Sequence, residues 1–249
     1  MPTSSQTTLV DLSTVESGSR KAAWRGAAPV MLPGLSVTFP SKSPSIGSLK
    51  HISIGDGMLW ALRSSPVSAE YRASDAQAAN DFIALMLQVE GSTLVSHATH
   101  QAKLTEGDIC IIDERRDFGI ITNGICGLAV LKFPRTPLLT RFPQLEACVA
   151  SVIARRQAGA CMLGDLIISL AHSADTLAED RRAPLLTAAT QILSATLVRP
   201  EPEATKFDWR ITAALDFIDF NFLSPDLRAD TIAQAQGVTR RRLDQIMME

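Results

Sequence analysis

The sequence lacks the features of a membrane protein, a secreted protein or a general nucleic-acid binder. Its longest apolar runs, Phe82–Val89 and Ile125–Phe133, are far shorter than the roughly 20 residues of a membrane-spanning helix. Residues 1–20 have no basic start followed by an apolar run, so no secretory signal is visible and we expect a cytoplasmic protein. The net charge of −2 and the pI near 6.1 exclude a general polyanion binder, so a DNA reader would need a local basic patch.

Cysteine pairs and the motifs of common enzyme classes are also missing. The four cysteines form no CxxC pair, and we interpret them as reduced, buried thiols, with a disulfide or a zinc site as the alternative: Cys110, Cys126, Cys148 and Cys161. No GxSxG motif, no P-loop and no GxGxxG motif after a strand is present. These absences favour a binding protein over an enzyme.

The first half of the chain has the pattern of a β domain. Between about Ser48 and Phe133, short apolar or alternating runs are separated by turn residues, among them Gly55-Asp56-Gly57. Strands spaced about 8 to 12 residues apart predict an antiparallel sandwich or barrel over residues 48–142. Residues 1–47 are rich in Ser, Pro and Gly, and we interpret them as an N-terminal arm.

The pattern changes to helical beyond Pro143. Apolar residues spaced three or four apart predict helices over Leu145–Gln157, Met162–Leu177 and Arg182–Leu197, which form a helical linker and dimerisation region over residues 143–200. Pro200 and Pro202 then interrupt the pattern. The fold class predicted from the whole chain is therefore α+β.

Residues 206–249 have the pattern of a helix-turn-helix. A helix marked by Ile211, Leu215, Ile218 and Phe222 ends at Ser224-Pro225, and two short helices follow. Ala233 provides the small residue where these two helices cross, and Gly237 lies in the turn between them. Thr239 is placed to cap the second helix, which begins at Arg240.

The outer face of that second helix supplies the predicted DNA-binding residues: Thr239, Arg240, Arg241, Arg242 and Gln245. Arginine forks bind guanine edges or phosphates, and glutamine pairs with adenine. Successive residues of a helix lie about 100° apart, so the three arginines cannot all face one groove. An ordinary helical hairpin with a solvated basic face is the alternative.

Both halves resemble the AraC/XylS family of bacterial transcription regulators. The stretch Ile232-Ala233-Gln-Ala-Gln-Gly237-Val238-Thr239 with Leu243 and Met247 resembles the first helix-turn-helix of that family, although the family usually has serine at Thr239 and phenylalanine at Met247. Leu85-Met-Leu-Gln-Val-Glu-Gly91, followed by Leu104-Thr-Glu-Gly107-Asp108, resembles its cupin-like sensory domain. The resemblance spans about Ser48 to the end of the chain.

This resemblance implies an effector-controlled DNA-binding regulator that forms a homodimer through the helical region. Family members continue with a second helix-turn-helix, whereas this sequence ends at Glu249, so we expect a truncated DNA-binding region and weak operator binding. Trp60, Arg63 and Tyr71 are the candidate effector-binding residues, with Trp60 as an ordinary core residue as the alternative.

Two alternatives remain open. One is a truncated effector-binding and dimerisation module without DNA recognition. The other is a metal-dependent cupin enzyme. The HxxH pair His97 and His100 does not match the HxH, Glu and distant His of metal cupins, so we interpret both as solvated turn residues and expect no metal, cofactor or catalytic residue. Residues 113–117, Asp-Glu-Arg-Arg-Asp, are interpreted as a solvated loop with internal salt bridges instead of an acid–base pair.

Overall fold

Two antiparallel β-sheets and a layer of helices make up the protein. The computed structural model describes residues 6–40, 44–75, 80–97, 100–197, 214, 217–218, 221, 227–236 and 238–248, and for residues 6–7, 75, 175, 179 and 245–248 it describes the backbone alone. The predicted helix over 211–222 and the turn glycine at 237 thus lie largely outside the described residues.

The strands form a seven-stranded sheet in the order β1-β3-β4-β11-β6-β9-β12 and a five-stranded sheet in the order β2-β5-β10-β7-β8, with every pairing antiparallel. The bounds are β1 Gln6–Asp11, β2 Leu35–Thr38, β3 Gly47–Ile54, β4 Gly57–Ser64, β5 Ser68–Tyr71, β6 Phe82–Glu90, β7 Thr93–His97, β8 His100–Leu104, β9 Ile109–Asp113, β10 Phe118–Thr122, β11 Cys126–Pro134 and β12 Val152–Ile153. The predicted α+β class with an antiparallel cupin-like β domain is confirmed, and the described strands form an open sandwich of two sheets.

The helices are α1 Arg20–Met31, α2 Arg135–Arg141, α3 Ala160–Ser173, α4 Glu179–Thr196, α5 Ala229–Ala235 and α6 Arg240–Met248. Short 3-10 turns cover Leu12–Thr14, Ser17–Ser19, Ala73–Asp75, Pro143–Cys148 and Ala174–Thr176. None of the described helices is long and apolar enough to cross a membrane.

The larger sheet is buried on both faces, and this explains its unbroken apolar runs. On β11, Leu128 and Val130 point into the core between the two sheets, whereas Leu131 and Phe133 point into a second core. The second core lies under the helices and includes Leu163 of α3, together with side chains of α4. Helices α3 and α4 thus cover the outer face of the larger sheet.

The structure differs from the sequence expectations in two segments. Residues 1–47 were interpreted as an N-terminal arm, but the described residues before 47 are part of the sandwich: β1 pairs with β3, β2 pairs with β5, and Trp24 of α1 is buried in the first core. The predicted helix Leu145–Gln157 is wrong. A 3-10 turn occupies its first part, and the β-branched pair Val152–Ile153 instead pairs with Cys110 and Ile109 at the sheet edge.

Candidate functional site

A cavity of about 80 Å³ lies between the two sheets, and α1 contributes to its wall. Alternate residues of a strand point to the same face, and in this way β11 places Cys126, Leu128, Val130 and Lys132 along one wall. Both sheets and α1 supply the remaining, mainly apolar lining, which includes Trp24, Met31, Phe39, Met86 and Phe118. The cavity therefore presents an apolar surface, and the polar side chains among its lining residues do not expose their polar atoms to it.

The principal polar feature among the lining residues of this cavity is an ion pair between Lys132 and Glu114. The Lys132 Nζ atom lies 2.7 Å from Glu114 Oε1, and both side chains are only 3% exposed. Lys132 Nζ also donates a hydrogen bond to the carbonyl of Met31 at 3.2 Å, which ties the end of α1 to the larger sheet. Burial raises the pKa of Glu114, although the nearby ammonium acts in the opposite direction.

Several polar atoms in and near the cavity wall lack hydrogen-bond partners among the described residues. Glu114 Oε2, Trp24 Nε1 and Ser64 Oγ all belong to lining residues and are buried without a partner. Most buried polar side-chain atoms in proteins have a partner, so these three atoms leave hydrogen-bonding capacity unused beneath the apolar surface of the cavity.

The structure separates the three predicted effector-binding residues, and none of them lines this cavity. Trp60 is buried and packs against His51, with ring centroids 4.5 Å apart and the ring planes tilted by 35°. Arg63 is half-exposed and pairs with Glu90, Nε to Oε2, at 2.6 Å. Tyr71 is buried, and its hydroxyl donates a hydrogen bond to the backbone carbonyl of Glu114 at 2.7 Å. Tyr71 therefore fixes the backbone of Glu114, which is among the lining residues.

The interpretation of His97 as a solvated turn residue is wrong. His97 is 1% exposed because its ring packs parallel to Phe118, and its Nε2 atom lies 3.3 Å from the carbonyl oxygen of Asp113. Burial lowers its pKa, and the neighbouring Asp113 acts in the opposite direction. His100 at the start of β8 is exposed. Within the described part of the chain, no three His, Cys, Asp or Glu side chains are grouped to hold a metal ion.

The stretch from Asp113 to Asp117 also differs from the predicted solvated loop. Asp113 and Glu114 are buried, because Asp113 ends β9 and Glu114 directly follows it, and they form ion pairs with distant residues: Asp113 with Arg135 and Glu114 with Lys132. An ion pair within the stretch joins Arg116 Nε to Asp113 Oδ2 at 3.8 Å. Because the stretch is polar, its sequence did not indicate that Glu114 is one of the lining residues of the cavity. The position of Glu114 directly after the buried strand β9 is the signal that could have indicated it.

At the C-terminal end, α5 and α6 pack against each other through Ala233 and Leu243. Thr239 Oγ1 accepts a hydrogen bond from the Arg242 amide at 3.3 Å, and the predicted cap on α6 is confirmed. Thr239 and the three arginines that follow it are exposed. One guanidinium nitrogen of Arg240 lies 3.5 Å from Oδ2 of Asp230 in α5, so these two side chains form an exposed ion pair. Gln245 lies within α6, and its side chain is outside the described part.

The four cysteines differ in burial. Cys110 and Cys126 are buried, Cys148 is partly buried and Cys161 is exposed, and all four are free thiols. The interpretation of all four as buried thiols is therefore wrong for Cys161 of α3 and holds only in part for Cys148.

Comparison with known proteins gives one family match. Residues 47–198 match the model of the AraC-binding-like domain. No curated protein matches the chain. Among solved structures, the AraC-like transcriptional activator CuxR is similar at 19% identity with a TM-score of 0.65, over 98% of this chain and 88% of that one. This likeness shows a shared fold.

Two further solved structures align over smaller parts of the chain. The ethanolamine utilization protein Q of Salmonella typhimurium matches at 10% identity with a TM-score of 0.31, over 36% of this chain and 72% of that one. KdgF from Halomonas matches at 13% identity with a TM-score of 0.29, over 41% of this chain and 81% of that one. Both likenesses are too low to support a functional comparison.

Proposed function

Because the chain belongs to the AraC-binding-like domain family, we propose that it is a DNA-binding transcription regulator controlled by a small effector. In this proposal the effector binds in the cavity between the sheets, and the start of α6 contacts DNA. The observation that carries the proposal is the combination, in one chain, of a cavity lined mainly by the matched region, with α1 as part of its wall, and a separate helix pair with exposed arginines.

The exposed start of α6 is suited to a DNA contact. The first turn of a recognition helix is the part that reaches base edges in a helix-turn-helix, and Thr239, Arg241 and Arg242 are exposed there. Arg240 is partly neutralised by Asp230, so Arg241 is the better candidate for a phosphate or base contact. The Arg240–Asp230 ion pair weakens the positive charge at the start of α6. It therefore favours the second candidate function, an effector-binding module without DNA recognition.

Selection of binding sites from a random DNA library tests the DNA part of the proposal. We expect the full chain to enrich a common sequence, and its affinity to fall as salt increases. Arg241→Ala should weaken binding and reduce the salt slope by about one if Arg241 contacts a phosphate. Arg63→Ala, which removes an exposed arginine of the sandwich, is the matched control. Failure to enrich any sequence would contradict DNA reading and favour the second candidate.

We also propose that the protein forms a homodimer through the helical region. On α4, Leu185, Ala188 and Ile192 are only partly buried and lie on one side, at helical spacing. Leu185→Glu should shift the sedimentation coefficient from dimer to monomer, whereas Thr187→Glu at an exposed position of the same helix should not. A chain that sediments as a monomer at all concentrations would rule out this dimer.

A further inference from the structure

The surface of the cavity between the two sheets is apolar throughout. Among the described residues that line it, none exposes a polar atom to the cavity, and the polar atoms of Trp24, Ser64 and Glu114 are buried beneath that surface. A hydrogen-bonding group placed in the cavity would lose its water partners and gain none from the wall, which is costly. The wall therefore disfavours ligands that carry donors or acceptors.

The charged lining residues give no place to an ionic ligand either. Within the described part of the wall only Lys132 and Glu114 are charged, and they are paired with each other at 2.7 Å, Nζ to Oε1. An ion in the cavity would meet neither a free countercharge nor an exposed hydrogen-bonding group. Water is also unsuited, because a buried water molecule needs about two to four polar partners.

Small side chains from three elements leave the space between the sheets. Ala28 of α1, Ala69 of β5 and Ala84 of β6 are buried and line the cavity. Protein interiors are close-packed, and the wall of a cavity lacks the contacts that neighbouring atoms would supply. A molecule that fills the cavity supplies those contacts, so its binding stabilises the folded chain.

The volume of the cavity limits the size of that molecule. At about 80 Å³ it is roughly half as large as an engineered cavity of about 150 Å³ that stays dry and binds benzene. On the same scale, a molecule of about three or four heavy atoms fits here. Met31 and Met86 contribute flexible thioether side chains to the wall, and these adapt to molecules of different shape.

We propose that the cavity binds a small hydrocarbon-like molecule of about three or four heavy atoms that carries no charge and no hydrogen-bonding group. This inference rests on the proposed effector site and names the chemical class of its ligand. The molecule contacts residues of both sheets and the α1 side chains Trp24, Ala28 and Met31. Its binding therefore adds contacts between α1 and the sandwich.

NMR of the methionine methyl groups, labelled with carbon-13, tests the proposal on the full chain without DNA. The probes are n-butane, n-propanol, propylammonium and acetate, which all have four heavy atoms. We expect n-butane to shift the signals of Met31 and Met86, which line the cavity, but not that of Met162, which is 61% exposed on α3. The substitutions Met31→Leu and Met86→Leu assign the two signals.

The polar probes should bind more weakly than n-butane or not at all. In n-propanol a hydroxyl replaces one methyl group and loses its water partners in the cavity, so its dissociation constant should be at least about fivefold higher. The two ions should leave the Met31 and Met86 signals unchanged. A difference below about fivefold, a comparable shift caused by either ion, or no shift in water saturated with n-butane would overturn the proposal.

The outcome can be told apart from the fate of the proposed function. Tight binding of n-propanol or of an ion would leave the cavity as an effector site for another chemical class. The absence of any shift would remove the cavity as the effector site and leave DNA reading untouched. Because DNA is absent, failure to select a DNA sequence would remove the DNA-binding role and leave the NMR result intact.

Two substitutions place the binding in the cavity. Ala84→Leu on β6 and Ala28→Leu on α1 each add three carbon atoms at the wall and should abolish the shifts caused by n-butane. Ala147→Leu, at an exposed position of a 3-10 turn, is the matched control and should leave them unchanged. Circular dichroism shows which variants fold, and one folded cavity variant is sufficient. Unaltered n-butane binding in that variant would overturn the proposal, and if neither folds the four probes on the unaltered chain decide alone.

Discussion

Replacing Lys132 by methionine should reveal how much stability depends on the buried ion pair. The substitution keeps most of the apolar stem but removes the ammonium that lies 2.7 Å from Glu114. A buried carboxylate then remains without its countercharge, and the Met31 carbonyl loses a donor. Breaking a buried pair by removing one partner costs about 3–5 kcal/mol. We expect Lys132→Met to lose unfolding free energy in this range.

Urea denaturation followed by circular dichroism measures the change, and two further variants make it specific. Arg63→Met breaks the solvent-exposed pair with Glu90 and should cost far less unfolding free energy than Lys132→Met, because water solvates both side chains. The double variant Lys132→Met with Glu114→Leu removes both charges and should recover most of the loss, because well-packed apolar residues often replace a buried pair at no cost. A loss below about 1 kcal/mol for Lys132→Met, or no recovery in the double variant, would refute the assignment of the pair as desolvated.

Three other predictions concern groups outside the ion pair. Folding lowers the pKa of His97 below its ordinary value of 6.5. The neutral His97 side chain therefore contributes to the unfolding free energy at pH values above 6.5, and this contribution is lost as the pH falls through the pKa of the folded state. His97→Gln should therefore flatten the decline of unfolding free energy between about pH 7 and pH 5, and an unchanged decline would contradict this. Gly91→Ala should cost about 1–3 kcal/mol, because Gly91 has φ +76° and a Cβ there would meet the Ile125 carbonyl, whereas Gly124→Ala in open space should cost far less. Iodoacetamide should label Cys161 in the folded protein, but not Cys110, since burial raises the pKa of the Cys110 thiol to about 12; mass spectrometry that finds Cys110 modified first would be the contrary result.

The main strands could be predicted from the sequence because their local signals agree with the fold. Strands β6 and β9 lie in the segment from about Ser48 to Phe133 for which the pattern predicted strands, and Gly55 takes the positive φ that a two-residue hairpin requires. Helices α3 and α4 followed from their apolar spacing, because one face of each packs on the sheet. In these elements the local pattern and the tertiary packing require the same structure.

The cavity could not be predicted, because its polar pair forms only through the tertiary fold. Glu114 and Lys132 are separated by 18 positions in the sequence. Glu114 lies in a polar loop after β9, whereas Lys132 lies in the apolar strand β11. Only the pairing of β6 with both β9 and β11 brings them together between the sheets. For the same reason His97 was interpreted as solvated: its neighbours in sequence are polar, but its neighbours in space are Phe118 and the carbonyl of Asp113.

The position of β1 and β2 has a consequence for transferring this β domain to another protein. The family match begins at residue 47, but β1 forms the last strand at one side of the larger sheet and β2 does so in the smaller one. A transplanted unit that began at residue 47 would leave β3 and β5 as open edges, which recruit strands from other chains. It would also lose the α1 wall of the cavity. A transferable module of this protein therefore has to include the residues from Gln6 onward.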